Sequence, residues 1–153
     1  MTKTFSPVGV DFDVAHTTPQ VALNTETQSD FGAGVYVCAA SLVSQYDVVA
    51  IDQDGLAVPI TTTNANLGRR IGFAQIGASA SNFVSVVTQG AGFLMNVIAA
   101  APADTRLYTT NTAGSLGASA TSHAEIIGVT FGTSNTGTAT AVVSLANYPH
   151  VDL

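Results

Sequence analysis

From Phe31 onward the chain repeats one pattern. Short apolar runs, several with alternating polar positions, are separated by Gly, Ser, Asn and Asp. Runs of this kind read as β-strands. Gly34–Cys38 and Gln45–Asp52 are the first two. The second closes on Asp54-Gly55, which predicts a two-residue type I′ turn because both central positions of that turn take φ > 0. Leu56–Ile60 returns from it. Arg70–Ile76 and Asn82–Thr88 follow, separated by the turn-rich Gly77–Ser81. Phe93–Ala100 fits a strand or a short helix, and Pro102 stops either. Arg106–Thr110, Ile126–Phe131 and Thr138–Leu145 complete the set, the last with Ala139, Ala141 and Val143 on one side of a period of two. Many short strands with turn signals between them indicate an all-β body, a small barrel or a sandwich.

Residues 1–30 break the pattern, with two prolines, isolated apolar residues and no sustained period. They read as an extended N-terminal arm with short strands at Val8–Phe12 and Gln20–Asn24, preceding a body at 31–153. The arm alone buries too little surface to fold, so it docks on the body, a neighbouring subunit or a partner. Its apolar residues Phe5, Val8, Val10, Phe12 and Val14 are candidate anchors. The alternation from Val8 to Val14 puts four of them on one face of an extended strand.

The body also repeats itself. Val48–Ile51, Gly55-Leu56-Ala57, Ile71–Ala74 and Val84–Val87 are echoed by Leu107-Tyr108-Thr109, Gly114-Ser115-Leu116, Ile127–Thr130 and Thr140–Val143. Gly72 to Val86 and Gly128 to Val142 are both separations of 14. Two related β-motifs packed into one core are the expectation.

Composition narrows the function. Charged residues are 9% of the 153 residues and apolar residues 46%, so the body carries enough apolar surface to fold. Four basic residues against ten acidic give a net charge of −6. Lys3, Arg69, Arg70 and Arg106 cannot neutralise the roughly 6–10 phosphates of a nucleic-acid footprint, which excludes that partner. Anionic lipid is excluded on the same ground. The longest nearly apolar stretch, Ala91–Ala103, falls short of the about 20 residues of a membrane helix, and no secretory signal pattern opens the chain. With 20 Thr, 12 Ser, 23 Ala and 14 Gly, almost half the chain is small and uncharged. Such a surface is buried against another protein at lower desolvation cost than one of Lys and Glu.

Catalytic and cofactor signatures fail one by one. No G-x-S-x-G elbow or Walker lysine is present, and Gly32-Ala33-Gly34 lacks the third glycine of a dinucleotide fingerprint. Asp52-Gln53-Asp54-Gly55 lacks the downstream Glu of a calcium loop. A phosphate–magnesium site like that of a trimeric dUTPase has no clustered Asp, Arg and Ser to build it. The lone Cys38 lies in an apolar run and packs as a small hydrophobe. His16, His123 and His150 read as solvated loop histidines. The Arg69-Arg70 pair belongs in local salt bridges or at a subunit interface. No enzyme, metal or cofactor is expected.

The stretches Gln45–Gly55, Asn66–Ala74 and Thr105–Leu116 resemble, in order and phrasing, the capsid decoration (cement) proteins of tailed bacteriophages. There a strand, a turn, a Gly-x-Ala phrase and an Ile-Gly-x-Ala phrase recur in acidic, Ala/Gly/Thr-rich chains. The resemblance covers roughly residues 31–145. It implies a β-rich, commonly trimeric protein on the outer surface of the virion shell, at or near threefold positions, clamping neighbouring copies of the major capsid protein. The alternative is a carbohydrate-binding or adhesion module of a head fibre or tail, which the absence of Trp and the presence of only four Tyr weaken.

Overall fold

The alternating runs become strands. The computed structural model describes residues 14–29, 32–65, 69–98, 105–121, 123–134, 137–143 and 150–152. These contain twelve strands and no helix: β1 (Glu26–Ser29), β2 (Gly32–Ala39), β3 (Val48–Ile51), β4 (Leu56–Pro59), β5 (Arg70–Phe73), β6 (Phe83–Val97), β7 (Leu107–Thr109), β8 (Ser115–Gly117), β9 (Glu125–Ile127), β10 (Val129–Ser134), β11 (Gly137–Val143) and β12 (His150–Asp152). They form one sheet in the order β1-β2-β4-β3-β5-β12-β9-β7-β8-β6-β11-β10, with extra β2–β6 and β5–β6 pairings.

The extra pairings curl the first half of the sheet into a five-stranded ring. β2 runs parallel to β4, β4 and β5 flank β3 antiparallel, and β6 closes the ring onto β2 and onto β5 through Phe73 and Val87. Alternation decides what lies inside. Val35, Val37 and Ala39 of β2, Val49 and Ile51 of β3, Ala57 of β4, and Val84 and Val86 of β6 form one buried cluster. Each large aliphatic member withdrawn from water contributes about 1.5–3 kcal/mol. The fit leaves no room on β5, where a Cβ on Gly72 would stand 2.5 Å from Val86 Cγ2.

The intervening residues of β3 and β5 are equally buried. Val48, Ala50, Ile71 and Phe73 face away from the ring and join Phe93, Met95 and Val97 of β6, Leu107 of β7, Leu116 of β8, Ile126 of β9 and Val151 of β12 in a second cluster. The Phe73 and Phe93 rings meet there, centroids 4.8 Å apart and tilted by 42°. Burial on both faces explains why β3 reads as an unbroken apolar run, Val48–Ile51, rather than an alternation.

The duplication is topological. β2 of the first motif corresponds to the C-terminal half of β6 in the second. Cys38 and Ala39 pair parallel with Leu56 and Ala57, just as Asn96 and Val97 pair parallel with Ser115 and Leu116. Ala40 N–H donates to Ala57 O at 2.9 Å, and Ile98 N–H to Leu116 O at 3.0 Å. Gly55 and Gly114, each preceding the short parallel strand, take φ of 80° and 75°. One strand therefore ends the first motif and begins the second. The ladders move the sequence alignment, however. Ala50 opposes Ile71 while its counterpart Tyr108 opposes Glu125, so Glu125 rather than Ile127 matches Ile71. A two-residue slip preserves strand alternation, so the apolar pattern alone could not exclude it.

Other expectations shift for local reasons. The Asp54-Gly55 turn is not a two-residue type I′ turn. Gly55 has positive φ and Asp54 does not, and Gly55 N–H donates to Asp52 O at 3.2 Å. The loop is thus three residues, and Asp52 Oδ1 pins it by accepting the Asp54 and Leu56 N–H groups, both at 2.9 Å. Of Phe93–Ala100, Phe93–Val97 is strand, the second half of the 15-residue β6, Ile98 is a bend, and Ala99 and Ala100 lie outside the described residues. Ile126–Phe131 is broken at Gly128, φ 87°. Gln20–Asn24 is turn and bend rather than strand, and the strand starts at Glu26. The expected Val8–Phe12 strand lies outside the described residues.

Candidate functional site

Of the candidate arm anchors, Phe5, Val8, Val10 and Phe12 lie outside the described residues. Val14 is 45% exposed. The segment that follows it lies against the first motif. His16 exchanges two backbone hydrogen bonds of 2.7 Å with Phe83, and Asn24 N–H donates to Tyr36 O at 2.8 Å. Tyr36 is fully buried and stacks on Phe83. Burial raises its phenol pKa, partly offset by the Gln20 N–H donated to Tyr36 Oη. β1 then pairs along β2, from Glu26 opposite Val35 to Ser29 opposite Gly32.

The two arginines are not in salt bridges with described carboxylates. Arg106–Glu125, at 3.4 Å, is the one ion pair among the described residues. Arg69 Nη1 donates to Asn64 O at 2.9 Å. Arg70, at the start of β5, donates from Nη2 to Asn24 Oδ1 and, at 3.2 Å, to Asp52 O. Asn24 in turn donates to Gln53 O at 3.0 Å. Arg70 thus ties the arm segment to the β3–β4 loop.

Arg70 also lines a cleft of about 360 Å³ at the end of the first ring, with Asn24 and Glu26, the β2 residues Ala33, Gly34 and Val35, and Thr88 and Gln89 of β6. The cleft sits at a register shift. Gly34 opposes Val87 but Ala33 opposes Gln89, so Thr88 is an extra residue in β6. A bulge of this type kinks its strand and re-aims the side chains beside it.

A second feature is a broad uncharged end. Val43 and Ala78 exchange hydrogen bonds of 2.9 and 2.8 Å, and Ser81 N–H donates to Ala39 O at 2.7 Å, which places loops 40–45 and 77–81 side by side. Neither loop carries a charge, and Leu42 at its tip is 66% exposed. The apolar pattern gave no means of telling Leu42 from a core residue.

The histidines are not simply solvated. His16 Nε2 is buried with no hydrogen-bond partner among the described residues. His123 Nδ1 lies 2.7 Å from Thr62 Oγ1, which is 3.3 Å from Thr109 Oγ1. His123 borders a shallow, mainly apolar pocket of about 320 Å³ with Ile98, Thr110, Gly117, Ala118 and Ser119. His150 belongs to β12. Cys38 is half-buried. Among the described residues no three His, Cys, Asp or Glu side chains form a metal-binding group.

One carboxylate joins the two motifs. Asp47 is buried, accepts Ser44 N–H at 2.8 Å and Asn96 Nδ2 at 3.1 Å, and lies against Gly114. Burial raises its pKa, and the two hydrogen bonds counter part of that rise. Comparison with known proteins finds no matching family model, curated protein or solved structure.

Proposed function

We propose that this chain is a non-enzymatic structural protein of a phage head, which binds the outer capsid surface as a trimer and clamps neighbouring subunits of the major capsid protein. The observation that carries the reading is the uncharged end formed by loops 40–45 and 77–81, with Leu42 exposed at its tip. A surface of Ser, Ala, Gly and Leu held on a strand framework suits adhesion spread over area rather than a chemical step. Specific interfaces bury about 1,600 Å² in total, and trimerisation would multiply modest contacts through effective concentration. The likeness of Gln45–Gly55, Asn66–Ala74 and Thr105–Leu116 to decoration proteins supports the same conclusion. The alternative of a sugar-binding module finds less support, since the chain has no Trp and Tyr36, one of its four Tyr, is fully buried and offers no stacking platform.

The test is the copy number in purified virus particles, measured by quantitative mass spectrometry against the major capsid protein. Near parity is the expected result. A few copies per particle would move the protein to a vertex, tail or fibre, and absence would overturn the reading.

A further inference from the structure

The Arg70 guanidinium forms no ion pair with a carboxylate among the described residues. Its two acceptors, the Asn24 side-chain amide and the Asp52 carbonyl, are both neutral and both engage Nη2. A guanidinium carries five N–H donors. Those on Nε and Nη1 have no acceptor among the described residues. In a chain of net charge −6 with only four basic residues, a half-buried cation with no ion pair to a carboxylate among the described residues stands out. It lies in the wall of the roughly 360 Å³ cleft. The tether to Asn24 and Asp52 fixes the head group, so a ligand there need not pay for ordering a long side chain.

We propose that this cleft binds a single carboxylate, the Asp or Glu side chain of an extended peptide segment in a partner protein. The carboxylate takes the free Arg70 donors in a charge-assisted hydrogen bond. Its peptide backbone lies beside the bulge at Thr88 and Gln89, where the extra residue interrupts the ladder and both residues line the cleft. One cation sets the valence. Glu26 lines the same cleft, so the lining is neutral overall, and a phosphate dianion meets about twice the repulsion from Glu26 that a monoanion does. The proposal is independent of the capsid reading, because it is tested on the isolated protein.

The experiment is a titration of the full-length, ¹⁵N-labelled protein, followed by NMR. The probes are an acetylated Gly-Glu-Gly amide, its Gly-Gln-Gly counterpart and inorganic phosphate. The glutamate peptide is expected to give saturable shifts at the Gly34 and Gln89 backbone amides and at Arg70 Nε–H. The glutamine peptide should bind about tenfold more weakly or worse, the loss expected when a charge-assisted bond is removed, and phosphate no more tightly than the glutamate peptide. Arg70→Gln should abolish the shifts. Because that variant also cuts the tether to Asn24, Gln89→Glu is the second test. It leaves the tether intact, adds a competing carboxylate to the cleft, and should abolish binding too. Equal binding of the two peptides, tighter binding of phosphate, shifts that survive both substitutions, or no saturable shift at all would each overturn the proposal.

Discussion

Gly114→Ala isolates what the contact between the two motifs is worth. Gly114 has φ 75°, and a Cβ there would lie 2.3 Å from Asp47 Cγ and Oδ1. Two costs combine. A left-handed backbone costs a residue with a Cβ about 1–2 kcal/mol. The Asp47 carboxyl must also move, which weakens its bonds to Ser44 N–H and Asn96 Nδ2. Hydrogen bonds to a charged group are worth roughly 1.5–3 kcal/mol each, and partial loss of the pair brings the total to roughly 3–5 kcal/mol. Gly92→Ala is the internal control. Gly92 has φ 83°, but a Cβ there meets nothing within 4 Å, so only the backbone cost of about 1–2 kcal/mol applies. Urea unfolding followed by far-UV circular dichroism reads both, since the chain has no Trp to report. Equal losses in the two variants would refute the reasoning, because they would show that Asp47 yields without cost.

Three further expectations follow from the same contacts. Burial raises the Asp47 pKa above the ordinary carboxylate value of 3.8, so the stability from its neutral form is full below that value and is lost as pH rises through the raised one. Asp47→Asn should therefore remove a fall in stability above about pH 4, visible as a wild-type minus variant difference across a pH series of urea midpoints; a flat difference would contradict it. Phe93→Ala should cost about 3–5 kcal/mol, and the double variant with Phe73→Ala should cost less than the two single losses together, because the rings share one contact; additivity would disprove the coupling. Deleting residues 1–14 should lower retention on purified capsids while leaving the urea midpoint unchanged, and unaltered retention would rule out the arm as an anchor.

Much of the fold was legible because burial imposes a period on strands. Gly34–Cys38, with Val35 and Val37, could be assigned as strand from its apolar run, whereas Phe93–Ala100 fitted strand and helix alike until its pairing with β11 decided it. β1 was not legible. Its sequence, Glu26–Ser29, is polar, and pairing with β2 rather than an apolar face makes it a strand, even though Thr27 is buried. The register of the second motif was equally hidden, since apolar alternation is blind to a slip of two. At the cleft, Arg70 could be singled out as one of four cations, but Asn24, Thr88 and Gln89 could not. Each is an ordinary polar residue whose meaning comes from a partner far away in the chain.

The shared strand has a mechanical consequence. β6 runs 15 residues, at most about 50 Å at the rise of an extended chain, and passes through both motifs as one strand, bent at the bulges of Thr88 and Gly92. Tension applied between the two halves is carried first by covalent backbone, and then by ladder hydrogen bonds loaded in shear on β2 and β11. Two barrels joined by a linker would separate at the linker. Here the halves part only when β6 is pulled out of one of them and the β5–β12 pairing and the shared core break as well, so the molecule resists stretching as a tie-rod does.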